Sequence, residues 1–368
     1  MSKDVYILAG GGTGGHLYPG LAVAEELLRL DGEARVVFAC SNRPIDRRIL
    51  EPTAYAMVPQ PIRPAPGLRS AWGFLRSYVA SAFQSRQMVC DLRPAAVLGL
   101  GGFAAVPLVR AAWKAGIPTG LLNPDAVPGK ANRFLARRAR AVFVQFASTA
   151  DCFGAGLRER IRHVGCPVRC GFLTARRDDA LRALGLAADR RTLLVNGGSL
   201  GAQSINQAFE ALAAELDELA DTWQVLHVTG HEKGGRGQAA APGSIEVRAL
   251  EYCHRMELAY AAADLALCRA GASTIAELSA TGTPAVIMPY PFHADQHQRL
   301  NAQALAGAGA AEIVDDRADQ AANAAALRQS LLPLMRDADR LEAMSQAARN
   351  LANPHAARQV AQWMHAAD

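Results

Sequence analysis

Two glycine-rich turns constrain the fold of this chain more than any other feature. The first, Gly10–Gly15, follows the apolar run Val5–Ala9, and the second, Gly197–Gly201, follows Leu193–Val195. Each run breaks into glycines and continues in a helical pattern, as in parallel sheets that present N–H groups and a helix N-terminus to phosphate. The turns lie about half the chain apart, so the sequence predicts two nucleotide-binding α/β domains facing one cleft.

Strand and helix patterns alternate along the whole chain. Strand Val5–Ala9, helix Leu17–Leu30 and strand Arg35–Ala39 form a βαβ start. A change of composition at Ile161–Gly171 marks the predicted hinge, so we expect domains at 1–163 and 164–340, with a C-terminal helix at 341–368 that packs back on the first domain. Further strands are predicted at Ala95–Gly99, Thr119–Leu122, Ala141–Gln145, Gln224–Thr229, Glu246–Arg248, Leu265–Cys268 and Ala285–Met288.

Composition is that of an ordinary globular protein. Of the 368 residues, 50% are hydrophobic and 20% are charged. Apolar runs stop well short of the roughly 20 residues that a membrane helix needs, and no signal-peptide core follows Met1. Seven cysteines without a Cys-x-x-Cys pair predict reduced thiols in a cytoplasmic protein. No nucleic-acid partner is predicted from the modest net charge of +5.

One basic segment stands out within this composition. Five arginines and a single acid, Asp91, lie between Pro61 and Arg93. An apolar stripe at helical spacing runs through the same segment, which predicts either a core-facing helix with a solvated back or a surface that binds anionic lipid headgroups. The stripe consists of Leu68, Trp72 and Leu75, with Phe74 and Tyr78 close by.

The first glycine turn also fits a dinucleotide-binding pattern. Gly10, Gly12 and Gly15 satisfy Gly-x-Gly-x-x-Gly. An NAD site requires an acidic residue at the end of the second strand, but strand Arg35–Ala39 continues as Cys-Ser-Asn. The sequence therefore disfavours an NAD-dependent dehydrogenase.

His16 directly follows these glycines at the start of the predicted helix. The positive end of the helix dipole favours a neutral imidazole, which is the form that a general base requires. A histidine that only caps or packs is the alternative. Its position beside phosphate-binding glycines favours the catalytic role.

The segment Cys268–Pro289 predicts a second cluster of ligand-binding groups. Ser273 and Thr274 are placed to cap a helix, and Glu277 in its first turns could accept both hydroxyls of a ribose. Alternatively, Glu277 is only a solvated helix acid. The polar loop that follows contains His293, Asp295 and His297, which could bind a metal or, as we favour, hydrogen-bond a ligand.

The motifs occur in an order typical of glycosyltransferase family 28. Over nearly its whole length the chain resembles the members of that family that add N-acetylglucosamine to lipid I in peptidoglycan synthesis. The resemblance is carried by Gly11–Ala22, Gly101–Phe103, Ala126–Arg133, Gly165–Arg169, Gly197–Ala202 and Arg269–Pro284.

This resemblance implies a GT-B fold of two Rossmann-like domains and an inverting transfer from UDP-N-acetylglucosamine without a cofactor or an essential metal. It also implies an undecaprenyl-linked lipid I acceptor and peripheral attachment to the anionic cytoplasmic face of the cell membrane. The resemblance also implies that the basic helix Leu68–Tyr78 lies where the family docks on the membrane.

Carried over residue by residue, the resemblance implies His16 as the catalytic base. Glu277 would bind the ribose diol, and Cys253, just before a helix at Met256–Ala262, would contact the uracil through its main chain. Gly12, Gly101 and Gly102 would face the acceptor diphosphate. The full set of implied donor contacts is Thr13, Gly14, Gly15, Asp125, Arg169, Ser199, Cys253, Ala272, Ser273, Thr274, Ile275, Ala276, Glu277 and Gln298.

One stretch departs from the family pattern. The family has His-Glu-Gln-Asn before Ala-Val-Pro-Gly, whereas this chain has Leu122-Asn-Pro-Asp125. An ionised Asp125 accepts hydrogen bonds but cannot donate them as an asparagine amide would. Three alternatives therefore stay open: a related transferase with another sugar or acceptor, an isomerase of UDP-N-acetylglucosamine, and a non-catalytic nucleotide-sugar-binding protein.

Overall fold

A computed structural model describes residues 4–63, 71–198, 201–230, 243–292, 296–317 and 319–367. The chain forms two compact units, one of Met1–Arg169 with Asn353–Asp368 and one of Cys170–Ala352. Each unit is built on one parallel sheet with helices between its strands, which confirms the predicted α/β class.

The first unit contains a seven-stranded sheet in the order β3-β2-β1-β4-β5-β6-β7. Its strands are β1 Val5–Gly10, β2 Arg35–Cys40, β3 Ala56–Pro59, β4 Ala96–Gly101, β5 Thr119–Asn123, β6 Ala141–Val144 and β7 Ile161–His163. Its helices up to this point are α1 Gly14–Leu30, α2 Pro44–Leu50, α3 Ala71–Leu92, α4 Ala105–Lys114 and α5 Lys130–Ala136. The sequence patterns did not predict the short strands β3 and β7.

Strand order explains where the first glycine turn lies. Strand β1 pairs with β2 on one side and β4 on the other, all parallel. The order reverses at β1 and β4, and the carboxyl ends of such strands leave room for a ligand. The turns that begin at Gly10 and Gly101 lie at these two ends.

Strand β1 is buried on both faces of this sheet. Tyr6 and Leu8 pack into one hydrophobic cluster, and Ile7 and Ala9 into the other. Because successive side chains in a strand point to opposite faces, a continuous apolar run is needed wherever helices cover both sides.

The second unit contains a six-stranded parallel sheet in the order β10-β9-β8-β11-β12-β13. Its strands are β8 Arg191–Asn196, β9 Trp223–Val228, β10 Glu246–Leu250, β11 Leu265–Cys268, β12 Ala285–Ile287 and β13 Ala311–Ile313. Its helices are α6 Gly171–Thr174, α7 Arg177–Leu184, α8 Gln203–Glu210, α9 Ala213–Asp217, α10 Met256–Ala262, α11 Ala272–Thr281, α12 His297–Gly307, α13 Gln320–Arg336 and α14 Ala338–Asn350. The order reverses at β8 and β11, so the second glycine turn also begins at a switch point.

The division of the chain differs from the predicted boundaries of 163/164 and 340/341. It falls after Arg169, and the predicted terminal segment 341–368 is split between the units. Leu341 and Met344 of α14 are buried in the second core. The last helix, α15 Ala356–His365, instead buries Val360 and Met364 in the first.

Polar and aromatic contacts hold α15 on the first unit. The hydroxyl of Tyr6 lies 3.0 Å from Nδ1 of His365, and Trp363 packs edge-on against Phe143 with ring centroids 5.5 Å apart. The C-terminal helix therefore completes the core that the N-terminal strands begin.

Candidate active site

His16 lies in the first turn of α1, which begins at Gly14, three residues earlier than the sequence pattern indicates. Its Nδ1 atom lies 3.1 Å from the carbonyl oxygen of Gly11 and 3.2 Å from Oγ1 of Thr13. A carbonyl oxygen can only accept, so Nδ1 carries the proton in the neutral ring. The lone pair is then on Nε2, as a general base requires.

The two turns at the switch point of the first unit lie against each other at His16. Gly101 has φ +108°, and a Cβ atom at this position would lie 2.9 Å from both Nε2 and Cδ2 of His16. Any larger residue would therefore crowd the imidazole in a backbone conformation that L-residues rarely adopt. The predicted neighbourhood of His16 and Gly101 is present in the structure.

Asp46 on α2 holds the first glycine turn and was missed by the sequence patterns. Its carboxylate is fully buried and accepts hydrogen bonds from the N–H of Gly12 at 2.7 Å and from Ser41 N and Oγ at 2.8 and 2.7 Å. The N–H group of Gly12 is therefore bonded to Asp46, so the prediction that Gly12 faces the acceptor diphosphate does not rest on this N–H group. The one sequence signal for this role was an acidic residue on the helix that follows β2.

Arg43, the residue before α2, contacts the same turn. Its Nη1 atom donates to the carbonyl oxygen of Gly12 at 3.1 Å, and its guanidinium lies 5.7 Å from the ring centre of Phe103. Arg43 thus places a positive charge beside the glycines for which the sequence predicts an acceptor diphosphate.

The divergent segment before Ala126 is fixed by polar contacts from within the first unit. The side chain of Asn123 donates to the carbonyl oxygen of Asp125 at 2.7 Å. Asn132 donates to the carbonyl oxygen of Leu122 at 3.1 Å and to Oδ1 of Asn123 at 3.0 Å. Leu122 itself is only 1% exposed and belongs to the core, so its side chain cannot contact a ligand, whereas Asp125 is partly exposed.

Arg169 ends the first unit beside α1. Its guanidinium lies over the ring of Tyr18, 5.0 Å from the centroid, and Tyr18 in turn contacts the position where Gly14 would carry a Cβ atom. The structure therefore brings Arg169 close to Gly14, another of the predicted donor contacts.

Side-chain and backbone hydrogen bonds define the second glycine turn. The side chain of Asn196 accepts from the N–H of Gly198 at 2.9 Å, and the N–H of Gly201 donates to the carbonyl oxygen of Gly198 at 2.9 Å. Gly201 has φ +68°, and a Cβ there would lie 2.4 Å from the carbonyl oxygen of Thr229. The predicted contact Ser199 lies outside the described residues.

A buried histidine is linked to this turn through hydrogen bonds. His227 on β9 lies 3.1 Å from Oδ1 of Asn206, whose amide donates to the Thr229 carbonyl oxygen at 3.0 Å. Burial lowers the pKa of His227 from 6.5 to about 4, so the ring is neutral and its Nε2 donates to Asn206. The sequence patterns did not identify this residue.

The helix that carries Glu277 begins differently from the prediction. Gly271 is the N-cap of α11, and no side chain caps the helix. Ser273 and Thr274 lie within its first turn, so the prediction that they cap α11 is wrong. Helix α11 also carries the other predicted contacts of this stretch: Ala272, Ile275 and Ala276.

Glu277 faces other buried groups of the second unit. Burial and, to a smaller extent, the Glu277 carboxylate together raise the pKa of the Cys268 thiol to about 12. Burial and then Glu277 also raise the pKa of Tyr260 on α10. Glu277 therefore acts electrostatically on a thiol and a phenol that stay protonated at neutral pH. Cys253, in the loop before α10, is itself buried.

Gln298 lies in the first turn of α12. Its Oε1 atom accepts a hydrogen bond from the N–H of Tyr290 at 3.0 Å, which leaves the amide NH2 group as the part that a ligand could use. In the preceding loop, His293 and Asp295 lie outside the described residues. Among the residues that are described, no group of three or more His, Cys, Asp or Glu side chains could hold a metal ion.

Helix α3 presents an apolar stripe to solvent. Trp72, Leu75, Val79 and Phe83 are 83%, 50%, 59% and 73% exposed. The alternative that the stripe faces the core is therefore wrong for the part that the structure describes, which excludes Leu68. No described helix is long and apolar enough to cross a membrane.

Comparisons with known proteins match both units. The family model for the glycosyltransferase family 28 N-terminal domain matches residues 6–144, and that for the C-terminal domain matches residues 192–360. A protein of Leifsonia xyli subsp. xyli is 40% identical over 349 residues, 93% of each chain. A protein of Desulforudis audaxviator is 37% identical over 366 residues, 95% of each chain. Both are named UDP-N-acetylglucosamine–N-acetylmuramyl-(pentapeptide) pyrophosphoryl-undecaprenol N-acetylglucosamine transferase.

Solved structures give a consistent picture of the fold. The crystal structure of Acinetobacter baumannii MurG superposes with a TM-score of 0.74 at 28% identity and covers 99% of each chain. A UDP-GlcNAc 2-epimerase from Neisseria meningitidis bound to UDP-GlcNAc has a TM-score of 0.67 at 14% identity, covering 98% of this chain and 99% of the epimerase. The likeness to the epimerase extends to the fold alone.

Proposed function

The chain belongs to glycosyltransferase family 28, and on that premise we propose that it transfers N-acetylglucosamine from UDP-N-acetylglucosamine to lipid I, with inversion at the anomeric carbon, to form lipid II. The observation that carries this proposal is the 40% identity, over 93% of both chains, with a transferase of that name. The geometry around His16 supports the proposal, because the contact of Nδ1 with the Gly11 carbonyl oxygen leaves Nε2 of the neutral ring as a base.

In the proposed reaction the acceptor sugar hydroxyl attacks the anomeric carbon of the donor. Its proton passes to Nε2 of His16, whose Nδ1–H donates to the Gly11 carbonyl oxygen. The bond between the anomeric carbon and the phosphate oxygen breaks, and UDP leaves with the electron pair. A base held in one tautomer removes the proton without a prior rearrangement of the ring.

We assign the uridine diphosphate to residues of the second unit. The second glycine turn, with Ser199, and the N-terminus of α8 would hold the diphosphate. Glu277 would accept the ribose hydroxyls, and Cys253 would contact the uracil through its main chain. Arg169 and the turn Thr13–Gly15, which belong to the first unit, stay proposed donor contacts.

Asp125 and Gln298 are assigned to the donor sugar. The Asp125 carboxylate would accept hydrogen bonds from sugar hydroxyls. The Gln298 amide nitrogen would donate one, because the Gln298 oxygen is already bonded to Tyr290.

We also propose that α3 docks the protein on the anionic cytoplasmic face of the cell membrane, where lipid I would be available. The exposed stripe Trp72, Leu75, Val79 and Phe83 offers aromatic and aliphatic groups to the lipid interface, and the exposed Arg76 and Arg86 lie on the same helix. This is the composition of a helix that lies in a membrane surface.

The function is tested by incubating the protein with UDP-N-acetylglucosamine and a soluble lipid I analogue, and measuring UDP release and the glycosylated product. We expect both in equal amounts. Consumption of another UDP-sugar instead would indicate a related transferase. Conversion of UDP-N-acetylglucosamine into its 2-epimer without acceptor would indicate an isomerase, and binding without turnover would indicate a non-catalytic protein.

A further inference from the structure

Arg269 follows β11 at the switch point of the second unit, and its guanidinium donates hydrogen bonds to four partners. Its Nη1 atom donates to the carbonyl oxygens of Met288 at 2.8 Å and Pro289 at 3.2 Å. Its Nη2 atom donates to Oγ of Ser204 and to Oδ2 of Asp316, both at 2.8 Å. The side chains of Arg269 and Asp316 are only 10% and 3% exposed.

The contacts of Nη2 fix the helix after the second glycine turn. Ser204 lies in the first turn of α8, and its hydroxyl donates to Oδ2 of Asp316 at 2.6 Å. The other oxygen of Asp316 accepts from Asn323 on α13 at 3.0 Å. The start of α8, and with it the turn that ends at Gly201, is thereby tied to a buried ion pair.

The contacts of Nη1 fix the segment that leads to Gln298. Met288 and Pro289 follow β12, and the guanidinium also lies 5.7 Å from the ring centre of Tyr290. The N–H of Tyr290 donates to Oε1 of Gln298. Arg269 therefore acts on Gln298 through the backbone of residues 288–290.

We propose that Arg269 is a positioning residue that sets the spacing between the diphosphate-binding turn and the sugar-binding Gln298. This inference rests on the proposed function, because it assigns those two segments to two parts of one donor. Asp316 neutralises the guanidinium, so Arg269 acts on the donor through the segments it holds and not as a charge that contacts the diphosphate. The two Nη atoms of a planar guanidinium can bond to both segments at once, whereas a lysine side chain has a single nitrogen and cannot reach both.

The test compares Arg269→Lys with Arg177→Lys. Arg177 is a matched control in the same unit, because it donates to Asp264 Oδ2 at 2.9 Å and to the carbonyl oxygens of Ala262 and Arg190. These partners precede β8 and β11, at the opposite end of the strands. We expect both variants to lose thermal stability, but only Arg269→Lys to raise the KM for UDP-N-acetylglucosamine, by about tenfold, and to weaken UDP binding in calorimetry.

A double-mutant cycle with Gln298→Ala separates positioning from general destabilisation. Once Arg269→Lys has released residues 288–290, removing the Gln298 amide should add little to KM. The fold increase in KM of the double variant should therefore be smaller than the product of the two single-variant increases. Equal KM and UDP affinity in the two lysine variants, or fully multiplicative effects in the cycle, would overturn the inference. A wild-type protein that turns over no UDP-N-acetylglucosamine would refute the proposed function instead, and the UDP calorimetry would still decide the role of Arg269.

Discussion

Nδ1 of His16 lies 3.1 Å from the carbonyl oxygen of Gly11, within the same glycine turn. This contact determines which ring nitrogen carries the proton, and therefore which one can act as a base. A turn that resembles a phosphate cradle in the sequence thus also orients an imidazole.

Replacing His16 with alanine should lower kcat by about a hundredfold to ten-thousandfold, the range typical of a lost general base. The Kd for UDP-N-acetylglucosamine should change little, because His16 is assigned to the acceptor hydroxyl. Steady-state kinetics and calorimetry measure the two quantities, with His163→Ala, an exposed histidine of the same unit, as the control. Equal losses in kcat and donor affinity would make His16 a binding residue.

Asp46→Asn should destabilise the first unit and reduce turnover. The carboxylate accepts three hydrogen bonds around Gly12 and Ser41, and an amide NH2 cannot accept in place of the second oxygen. We expect the free energy of unfolding to fall by about 1–3 kcal/mol, measured by urea denaturation. Asp151→Asn provides the comparison, since Asp151 forms an exposed ion pair with Arg158. If the two variants were equally stable and active, Asp46 would have no role in shaping the turn.

Acid should destabilise the second unit through His227. Its pKa is lowered by burial from 6.5 to about 4, so below pH 6.5 the unfolded chain binds a proton that the folded chain does not. The stabilising contribution is present above pH 6.5 and is lost as the pH falls towards 4, by about 3 kcal/mol in total.

This pH dependence is measured as the difference between wild type and His227→Gln in denaturant titrations from pH 7 to 4. Glutamine can still donate to Asn206 but does not titrate, so the variant should lose less stability over this range. His163→Gln serves as the exposed control and should follow the wild type. Parallel curves for wild type and His227→Gln would contradict the prediction.

The double substitution Trp72→Ser with Phe83→Ser should weaken binding to vesicles that contain anionic lipid by at least about tenfold, because two large apolar groups no longer enter the interface. Turnover of a water-soluble acceptor analogue should be unchanged. Cosedimentation with anionic and zwitterionic vesicles measures the effect. Leu28→Ser with Leu351→Ser removes two exposed apolar side chains elsewhere and should leave vesicle binding intact; a similar loss in this control would mean that α3 is not the docking surface.

Local patterns predicted much of the fold. Apolar runs such as Val5–Ala9, followed by glycines and a helical period, identify buried parallel strands because their side chains face helices on both sides. Strands β3, β7 and β13 were missed because they are short and form edges of the two sheets, where less of the chain is buried. The two glycine turns were located correctly because each one directly follows an apolar run that is recognisable as a buried strand.

The chemistry of the site was only partly predictable. The sequence placed His16 and Glu277 among candidate functional residues, since their positions follow from motifs only a few residues long. Asp46, His227 and Asn206 have no such motif, and their roles depend on residues far away in the chain. The N-cap of α11 was also misassigned. Gly271, Ser273 and Thr274 are all residue types that occur at N-caps, and only the backbone dihedral angles show which of them precedes the helix.

The sequence by itself determined the two α/β units, the positions of both glycine turns and membership of a family of glycosyltransferases, because these depend on periodicity and on short ordered motifs. Only the tertiary structure decided that Gly12 is bonded to Asp46, that Leu122 is a core residue, that the stripe on α3 faces solvent and that Arg269 joins two loops. A helical period specifies a face but not what covers it, and hydrogen bonds between distant segments form only when the strands and helices pack.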